Sequence, residues 1–162
     1  MKLALKSLLA MVVLPGTITG FVPWRYYGLS SVDLGHLSPI QLAGLPVLLI
    51  GAVILLMCIW EFARKGKGTL APVDPPKHLV VEGLYRYVRN PMYVGVFWIL
   101  LGELLLIWTT AFLGYVIFFT VAVNVFVLGY EEPTLRRLFG QEYDEYCRRV
   151  RRWIPRFTTT ER

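Results

Sequence analysis

The chain has 162 residues, of which 56% are hydrophobic and 17% are charged, with a mean hydropathy of +0.54. This composition excludes an ordinary soluble domain of that size and predicts an all-α, polytopic membrane protein. The net charge of +6 and the pI near 9.5 do not indicate nucleic-acid binding, because the basic residues flank apolar runs and form no separate basic domain.

The first apolar segment, Leu3 to Val22, predicts a transmembrane helix interrupted at Pro15-Gly16. Helices in a bilayer tolerate such breaks where neighbouring groups satisfy the freed carbonyls. A cleaved signal peptide is the alternative, since Lys2 and Lys6 precede the apolar core. No small-x-small cleavage site follows, which favours a retained span.

The next two apolar stretches predict three further spans, about four in all. Residues Ile40 to Phe62 are long enough, at ~1.5 Å per residue, to cross a hydrocarbon core of ~30 Å. The stretch from Tyr93 to Tyr130 is too long for one crossing and is broken near Trp108-Thr109-Thr110. It therefore predicts a helical hairpin with its turn at those residues.

The basic residues predict the orientation. With four spans and a cytosolic N-terminus, all seventeen Lys and Arg residues except Arg25 fall on the cytosolic side. The positive-inside rule then predicts that both termini are cytosolic. Cys58 lies within a span and Cys147 in the cytosolic tail, so no disulfide is expected. His36 and His78 lie on opposite sides of the membrane, so no metal site is expected.

The loop from Arg64 to Pro91 contains several glycines and prolines, which forbid a continuous helix. A plain linker is one interpretation, but the segment from Lys77 to Tyr93 is dense in specific polar and aromatic residues. Pro91 fits the first turn of the third span. The N-terminus of that helix exposes unpaired N–H groups and a positive dipole end, which suit a carboxylate ligand.

The hairpin register brings polar residues of the two helices to one level. Glu131 and Glu132 fall level with residues 87–89, and Asn124 falls level with about residue 95. Asn124 and Glu131 are seven residues apart and share one helix face. The alternative to a ligand site is a pair of interfacial carboxylates that bind arginines and hold the bundle together.

The C-terminal segment predicts an amphipathic helix after a C-cap at Gly140. Its apolar face carries Tyr143, Tyr146, Cys147 and Val150 at helical spacing. Such a helix can lie on the membrane surface, over the hairpin as a lid, or both, because the two roles are compatible. The arginines at 148, 149, 151, 152 and 156, with Trp153, suit anionic lipid at the interface.

Glu103 is the one charged residue well within a span. Intramembrane carboxylates cost at least ~2.5 kcal/mol and are candidates for function. By helix rise it lies nearer the far interface than the cytosolic end, so a structural role is expected.

The combination of motifs after residue 66 resembles the isoprenylcysteine carboxyl methyltransferase family and the related phospholipid methyltransferases. The match consists of Gly83-x-Tyr85-x-x-x-Arg89-Asn90-Pro91-x-Tyr93-x-Gly95, then Glu131-Glu132, then Phe139-Gly140-x-x-Tyr143-x-x-Tyr146. It covers about Gly66 to Pro155. Each fragment is weak alone, and the order and spacing together make the resemblance specific.

The resemblance implies S-adenosylmethionine as cofactor, at the cytosolic end of the hairpin. The implied cofactor contacts are Lys77, His78, Leu79, Val80, Tyr85, Asn90, Pro91, Met92, Tyr93 and Glu131. The implied catalytic residues are Arg89 and Glu132. Glu131 is expected to hold the cofactor's ammonium, and Arg89 to orient the pocket or an anionic substrate group. The chain is then one membrane domain over residues 1–162, with two N-terminal spans in 1–63 and the cofactor loop, hairpin and amphipathic helix in 64–162.

Two departures from the family pattern affect the expected chemistry. Asn90 stands where many members have His, and an amide cannot act as a general base near neutral pH. Val127 stands where the eukaryotic enzymes have an arginine that contacts the prenylated substrate, so a prenylcysteine substrate is not favoured. Methyl transfer to a lone pair needs mainly alignment and desolvation.

The expected function is methyl transfer to a lipophilic acceptor that enters from the bilayer: a lipid amine, a carboxylate, a thiol or an isoprenoid. A bacterial inner membrane is favoured over the endoplasmic reticulum. One alternative is a membrane reductase of the sterol or steroid type, which shares a similar motif set and binds a reduced nicotinamide phosphate cofactor. The other is a non-catalytic membrane protein that kept the fold.

Overall fold

The computed structural model describes residues 12–65 and 79–155, and the side chains of 62–65 are not described. Within these ranges every regular element is helical, and the only β-type pairing is an isolated parallel bridge between Val88 and Arg151. The predicted all-α class is confirmed. The described elements are α1 (Val22–Tyr26), α2 (Pro39–Lys65), α3 (Pro91–Ile107), α4 (Thr110–Phe126), α5 (Glu132–Phe139) and α6 (Gln141–Arg149).

Two of these helical stretches are long and apolar enough to cross a membrane. They are Pro39–Glu61 within α2 and Thr110–Phe139, which runs through α4 and α5 with a π-helical turn at Val127–Glu131. Helix α3 has 17 residues, or about 25 Å of rise, and is shorter than a full hydrocarbon core of ~30 Å. Of the first predicted span, residues 3–11 lie outside the described ranges, and the rest is helical with a π-helical turn at Thr17–Phe21.

Glycines hold α2 and α3 close together. Gly44 and Gly51 of α2, and Gly95 and Gly102 of α3, recur at seven-residue spacing on the facing sides. A Cβ placed on Gly102 would lie 2.5 Å from the backbone nitrogen of Leu48. Small residues at such positions let two helix backbones approach, which is the usual basis of helix association in membranes.

The predicted hairpin turn is confirmed at residues 108–109. Helix α3 ends at Ile107, and its C-cap residue Trp108 takes a left-handed conformation (φ 46°). The side chain of Thr109 caps α4 by accepting a hydrogen bond from the N–H of Phe112 (3.3 Å). Phe112, Val116 and Phe119 pack with α3 near this turn. Helix α3 nevertheless lies much closer to α2 than to α4 along its length. The two arms of the hairpin therefore diverge away from the turn.

Glu103 is buried, with 2% of its surface exposed, so it does not face lipid. It lies on α3 toward the hairpin turn, one helical turn before Leu106, whose carbonyl accepts a hydrogen bond from Gln41 of α2 (2.9 Å). It lies far from the opposite end of the hairpin, and the structural role expected for it stays a prediction.

Candidate functional site

The segment before α3 forms one wall of the site. It contains a 3₁₀ turn at Gly83–Arg86, which begins at a glycine with φ +61°. The positive φ favours glycine at this position, and the carboxylate of Glu61 from α2 packs against it where a Cβ would lie. The turn buries Tyr85, whose carbonyl accepts a hydrogen bond from the hydroxyl of Tyr146 (2.6 Å).

The start of α3 lies beside this turn. Pro91 occupies the first turn of the helix as predicted, and Asn90 is the N-cap residue. The Asn90 side chain does not cap the helix; its amide instead donates to the carbonyl of Arg152 (3.3 Å). The first N–H groups of α3 are therefore not capped by this side chain.

The two adjacent glutamates at the end of the π-helical turn have different partners. Glu132 accepts two hydrogen bonds from Arg152, at 2.7 and 2.9 Å, and its carboxylate lies 3.3 Å from Nη1 of Arg89. Glu131 accepts a hydrogen bond from the Tyr93 hydroxyl (3.1 Å). Among the described residues, no cation lies within ion-pair distance of Glu131. One carboxylate is thus neutralised by two guanidinium groups, and its neighbour is not.

Helix α6 and the residues after it cover the site. The apolar face predicted for α6 is confirmed, since Tyr143, Tyr146 and Val150 are buried together and Cys147 packs against them. We call residues 150–153 the C-terminal strap. Its Arg151 carbonyl accepts a hydrogen bond from the N–H of Arg89 (2.9 Å). Helix α6 packs over the polar residues at this end of the hairpin, as expected for a lid, and its placement at the membrane surface stays a prediction.

Trp153, the last residue of the strap, reaches the space between the hairpin arms. Its indole N–H donates to the side-chain oxygen of Asn124 on α4 (3.2 Å). Its ring also packs edge to face against Tyr93 of α3, with centroids 6.4 Å apart. The strap therefore connects the loop, α3 and α4.

Two cavities result from this arrangement. The first, which we call the polar cavity, encloses about 40 Å³ and is lined by Leu79, Val80, Tyr85, Arg89, Asn90, Glu131, Glu132, Leu135, Tyr143 and Tyr146. The second, which we call the hairpin cavity, encloses about 290 Å³ between α3 and α4. It is lined by Tyr93, Val94, Phe97, Trp98, Phe119, Thr120, Val123, Asn124 and Trp153.

The structure brings most of the predicted site residues together. Those that line the polar cavity are Leu79, Val80, Tyr85, Arg89, Asn90, Glu131 and Glu132. Tyr93 lies between the two cavities. Pro91 is fully buried at the start of α3, and Met92 packs against the hydrophobic core and lines neither cavity. Lys77 and His78 lie outside the described residues. No group of three or more potential metal ligands occurs in the part of the chain that was described.

Arg152 and Trp153 contact Glu132 and Asn124, and neither contact was predicted from the sequence. The basic run from 148 to 156 suits anionic lipid, and nothing in its spacing separates Arg152 from its neighbours. The distinction depends on the strap, which turns back along residues 88–89 and directs Arg152 toward Glu132. Exposed Arg148 and Arg149 remain available to lipid.

Burial keeps the tyrosine hydroxyls around the polar cavity in their protonated form. Desolvation is the main cause that raises the pKa of Tyr85, Tyr143 and Tyr146 above the ordinary range. These hydroxyls therefore stay protonated and remain hydrogen-bond donors at neutral pH. The hydrogen bond to Glu132 raises the pKa of Arg152. Burial opposes ionisation of Glu132, but the hydrogen bonds from Arg152 and the charge of Arg89 outweigh it and lower the pKa of that carboxyl, so the pair is charged at neutral pH.

The fold and the site define a helical membrane protein with a covered polar cavity at one end of a diverging hairpin. The family model for phospholipid methyltransferases matches residues 40–142. This range is more than half of the chain and includes α2, the hairpin and both glutamates. The chain belongs to the phospholipid methyltransferase family, and the resemblance inferred from the motifs is confirmed.

Named relatives carry two kinds of methyltransferase activity. A probable protein-S-isoprenylcysteine O-methyltransferase of Oryza sativa subsp. japonica is 29% identical over 119 residues, which cover 72% of this chain and 61% of the rice protein. The protein-S-isoprenylcysteine O-methyltransferase of Schizosaccharomyces pombe is 37% identical over 79 residues, 48% of this chain and 33% of that protein. The methanethiol S-methyltransferase of Crocosphaera subtropica is 34% identical over 80 residues, 49% of this chain and 30% of that protein. The chain thus spans about three fifths of the rice relative's length.

Proposed function

We propose that this protein is an S-adenosylmethionine-dependent membrane methyltransferase that acts on a lipophilic acceptor. The family and the names of the relatives support a methyltransferase. The observation that carries the proposal is the unequal pair of glutamates: Glu132 is neutralised by Arg89 and Arg152, whereas the one partner of Glu131 among the described residues is the Tyr93 hydroxyl. A partly buried carboxylate without a cation is suited to a ligand ammonium.

The other residues of the polar cavity fit the rest of such a cofactor. The uncapped N-terminus of α3 suits its carboxylate. The buried Nε of Arg89 has no hydrogen-bond partner among the described residues and can serve an acceptor atom of a ligand. Leu79 and Val80 supply apolar surface for an adenine ring. When bound, S-adenosylmethionine supplies an electrophilic methyl group. We assign Arg89 and Glu132 to positioning the pocket, together with Arg152.

The polar cavity encloses only about 40 Å³, which is less than a nucleoside needs. We propose that α6 and the strap move outward to admit the cofactor and then close over it. Closure would exclude water from the transfer step, which strengthens every electrostatic contact to the ligand. A few hydrogen bonds and ion pairs, and not a large hydrophobic core, hold α6 and the strap in the closed position. Opening therefore costs little free energy.

We also propose the membrane arrangement. Four spans with both termini in the cytosol place the polar cavity on the side where the cofactor is made, and a bacterial inner membrane fits this arrangement. Residues 1–162 then act as one membrane domain, with the two N-terminal spans supporting the loop and the hairpin. The close packing of α2 against α3 supports such a unit.

Calorimetric titration of the detergent-purified protein tests the proposal. We expect S-adenosylhomocysteine to bind with micromolar affinity and reduced nicotinamide phosphate cofactor not to bind. Glu131→Ala should weaken binding at least tenfold, since it removes the ammonium's counter-charge. Glu145→Ala removes an exposed carboxylate on α6 and serves as the matched control. Binding of the nicotinamide cofactor alone would assign the protein to the reductases, and binding of neither would support a non-catalytic role.

A further inference from the structure

The described part of the chain contains two π-helical turns, at Thr17–Phe21 and at Val127–Glu131. Each turn is followed, after one further residue, by a proline: Pro23 in the first case and Pro133 in the second. In both cases the N–H of the residue before the proline donates to the carbonyl five residues back, and not four as in an α-helix. The same backbone arrangement therefore precedes a proline twice in this chain.

The chemistry of proline explains why the turn forms there. Pro133 has no N–H to donate to the carbonyl of Gly129, four residues back, and its ring crowds that carbonyl. A wider π-helical turn relieves the crowding and lets the preceding N–H bond one residue further back. Proline alone is not sufficient, because α2 contains Pro46 and has no such turn. The turn before Pro133 therefore depends on the proline together with the contacts of the residues beside it.

The π-helical turn changes the direction in which the residues after it point. It holds one residue more than an α-helical turn, so later side chains are rotated by about one residue, or ~100°, relative to an unbroken helix. In an unbroken helix Glu132, eight residues after Asn124, would lie ~80° from it around the axis. In the structure the two side chains contact consecutive strap residues, Arg152 and Trp153. The turn thus brings Glu132 to the side of the helix that carries Asn124.

The same rotation gives the two glutamates their partners. Glu132 lies 2.7 Å from Arg152 of the strap, and Glu131 lies 3.1 Å from the Tyr93 hydroxyl of α3. The Cα atoms of a helix lie ~2.3 Å from its axis, so a rotation of ~100° moves each Cα by ~3.5 Å and the end of its side chain further. Hydrogen bonds do not survive such a displacement. An unbroken α-helix over the same residues would therefore lose both contacts.

We propose that Pro133 is a positioning residue of the cofactor site and acts through the π-helical turn that it favours. The turn directs Glu131 toward Tyr93 and the cofactor's ammonium, and it directs Glu132 toward its two arginines. Pro133 itself is exposed and lines neither cavity, so its effect on a ligand passes through the helix. The part of this inference that concerns the cofactor rests on the function proposed above.

Calorimetric titration with S-adenosylhomocysteine tests the inference in three variants of the full chain. In Pro133→Ala the helix can close as an unbroken α-helix, which turns Glu131 away, so we expect the affinity to fall at least tenfold. The second variant combines Pro133→Ala with deletion of Leu128, an exposed residue of the π-helical turn. Four α-helical residues turn the chain by nearly as much as five π-helical ones, so we expect binding within threefold of the unmodified protein. The control is Pro46→Ala, at an exposed proline of α2, which should not change the affinity.

Thermal unfolding in detergent gives a second readout that needs no ligand. Arg152→Met should lower the Tm of the unmodified protein, because it removes the pair with Glu132. In the Pro133→Ala background Glu132 is turned away from the strap, so Arg152→Met should have little further effect on the Tm. The effect of Arg152→Met should return when Leu128 is deleted as well. A proline that only stabilised the fold would not produce this restored pattern.

Two results would overturn the inference. One is an unchanged affinity for S-adenosylhomocysteine in Pro133→Ala. The other is a failure of the Leu128 deletion to restore both the affinity and the effect of Arg152→Met. If the unmodified protein does not bind S-adenosylhomocysteine, the proposed function fails, and the unfolding data alone decide whether Pro133 positions the glutamates.

Discussion

The ion pair between Arg152 and Glu132 should be the main attachment of the lid. Arg152→Met removes two charge-assisted hydrogen bonds, at 2.7 and 2.9 Å, to a carboxylate that is 10% exposed. Hydrogen bonds to charged groups contribute ~1.5–3 kcal/mol each. The Arg152 side chain is 30% exposed and Glu132 keeps Arg89 at 3.3 Å, so screening and the remaining partner reduce the loss. We expect the free energy of unfolding to fall by about 1–2 kcal/mol.

Thermal unfolding in detergent measures this loss, with an expected fall in Tm of roughly 3–6 °C. The matched control is Arg149→Met, which breaks an exposed pair with Glu145 on the same helix and should change stability by less than ~0.5 kcal/mol. In a double-mutant cycle, Arg152→Met and Glu132→Gln together should cost less than the sum of their separate effects, because both remove the Arg152–Glu132 pair, while Glu132→Gln also weakens the contact with Arg89. Equal effects of the two arginine variants, or full additivity in the cycle, would refute the role assigned to the strap.

Two glycines test the packing that positions the site. Gly102→Ala should lower the free energy of unfolding by ~1–3 kcal/mol, because its Cβ would lie 2.5 Å from the backbone nitrogen of Leu48. The control is Gly114→Ala, whose Cβ would meet no atom within 4 Å and which should be neutral or stabilising in the same Tm assay. Gly83→Ala should cost ~1–2 kcal/mol, since φ is +61°, a conformation that side chains with a Cβ rarely adopt, and should also weaken S-adenosylhomocysteine binding in calorimetry. Unchanged Tm in Gly102→Ala, or unchanged Tm and affinity in Gly83→Ala, would contradict these packing contacts.

The helices were predictable because their signals are local. The apolar run after Pro39, the break at residues 108–110 and the proline at position 91 each mark an element boundary within a few residues. The apolar spacing of Tyr143, Tyr146 and Val150 correctly predicted the buried face of α6. Register counting across the hairpin turn placed Glu132 level with Arg89, and the structure has them 3.3 Å apart.

The contacts of the strap and the shape of the hairpin cavity were not predictable, because both depend on how helices approach one another. Helix α3 follows α2 through glycines on facing sides, and this close approach draws it away from α4. The residue pattern of one helix taken alone does not show that α3 and α4 diverge. Trp153 contacts Asn124 and Tyr93 because the chain reverses after α6. In the sequence, a tryptophan beside arginines looks the same whether it packs between helices or lies at a lipid interface.

Photo-cross-linking tests the proposed cofactor site most directly. Radiolabelled S-adenosylmethionine is irradiated with the purified full chain, and the labelled peptides are identified by mass spectrometry. We expect label within residues 79–93 or 131–146, abolished by excess S-adenosylhomocysteine and strongly reduced in Glu131→Ala but not in Glu145→Ala. Label elsewhere in the chain, or label that the competitor does not displace, would contradict a cofactor site in the polar cavity.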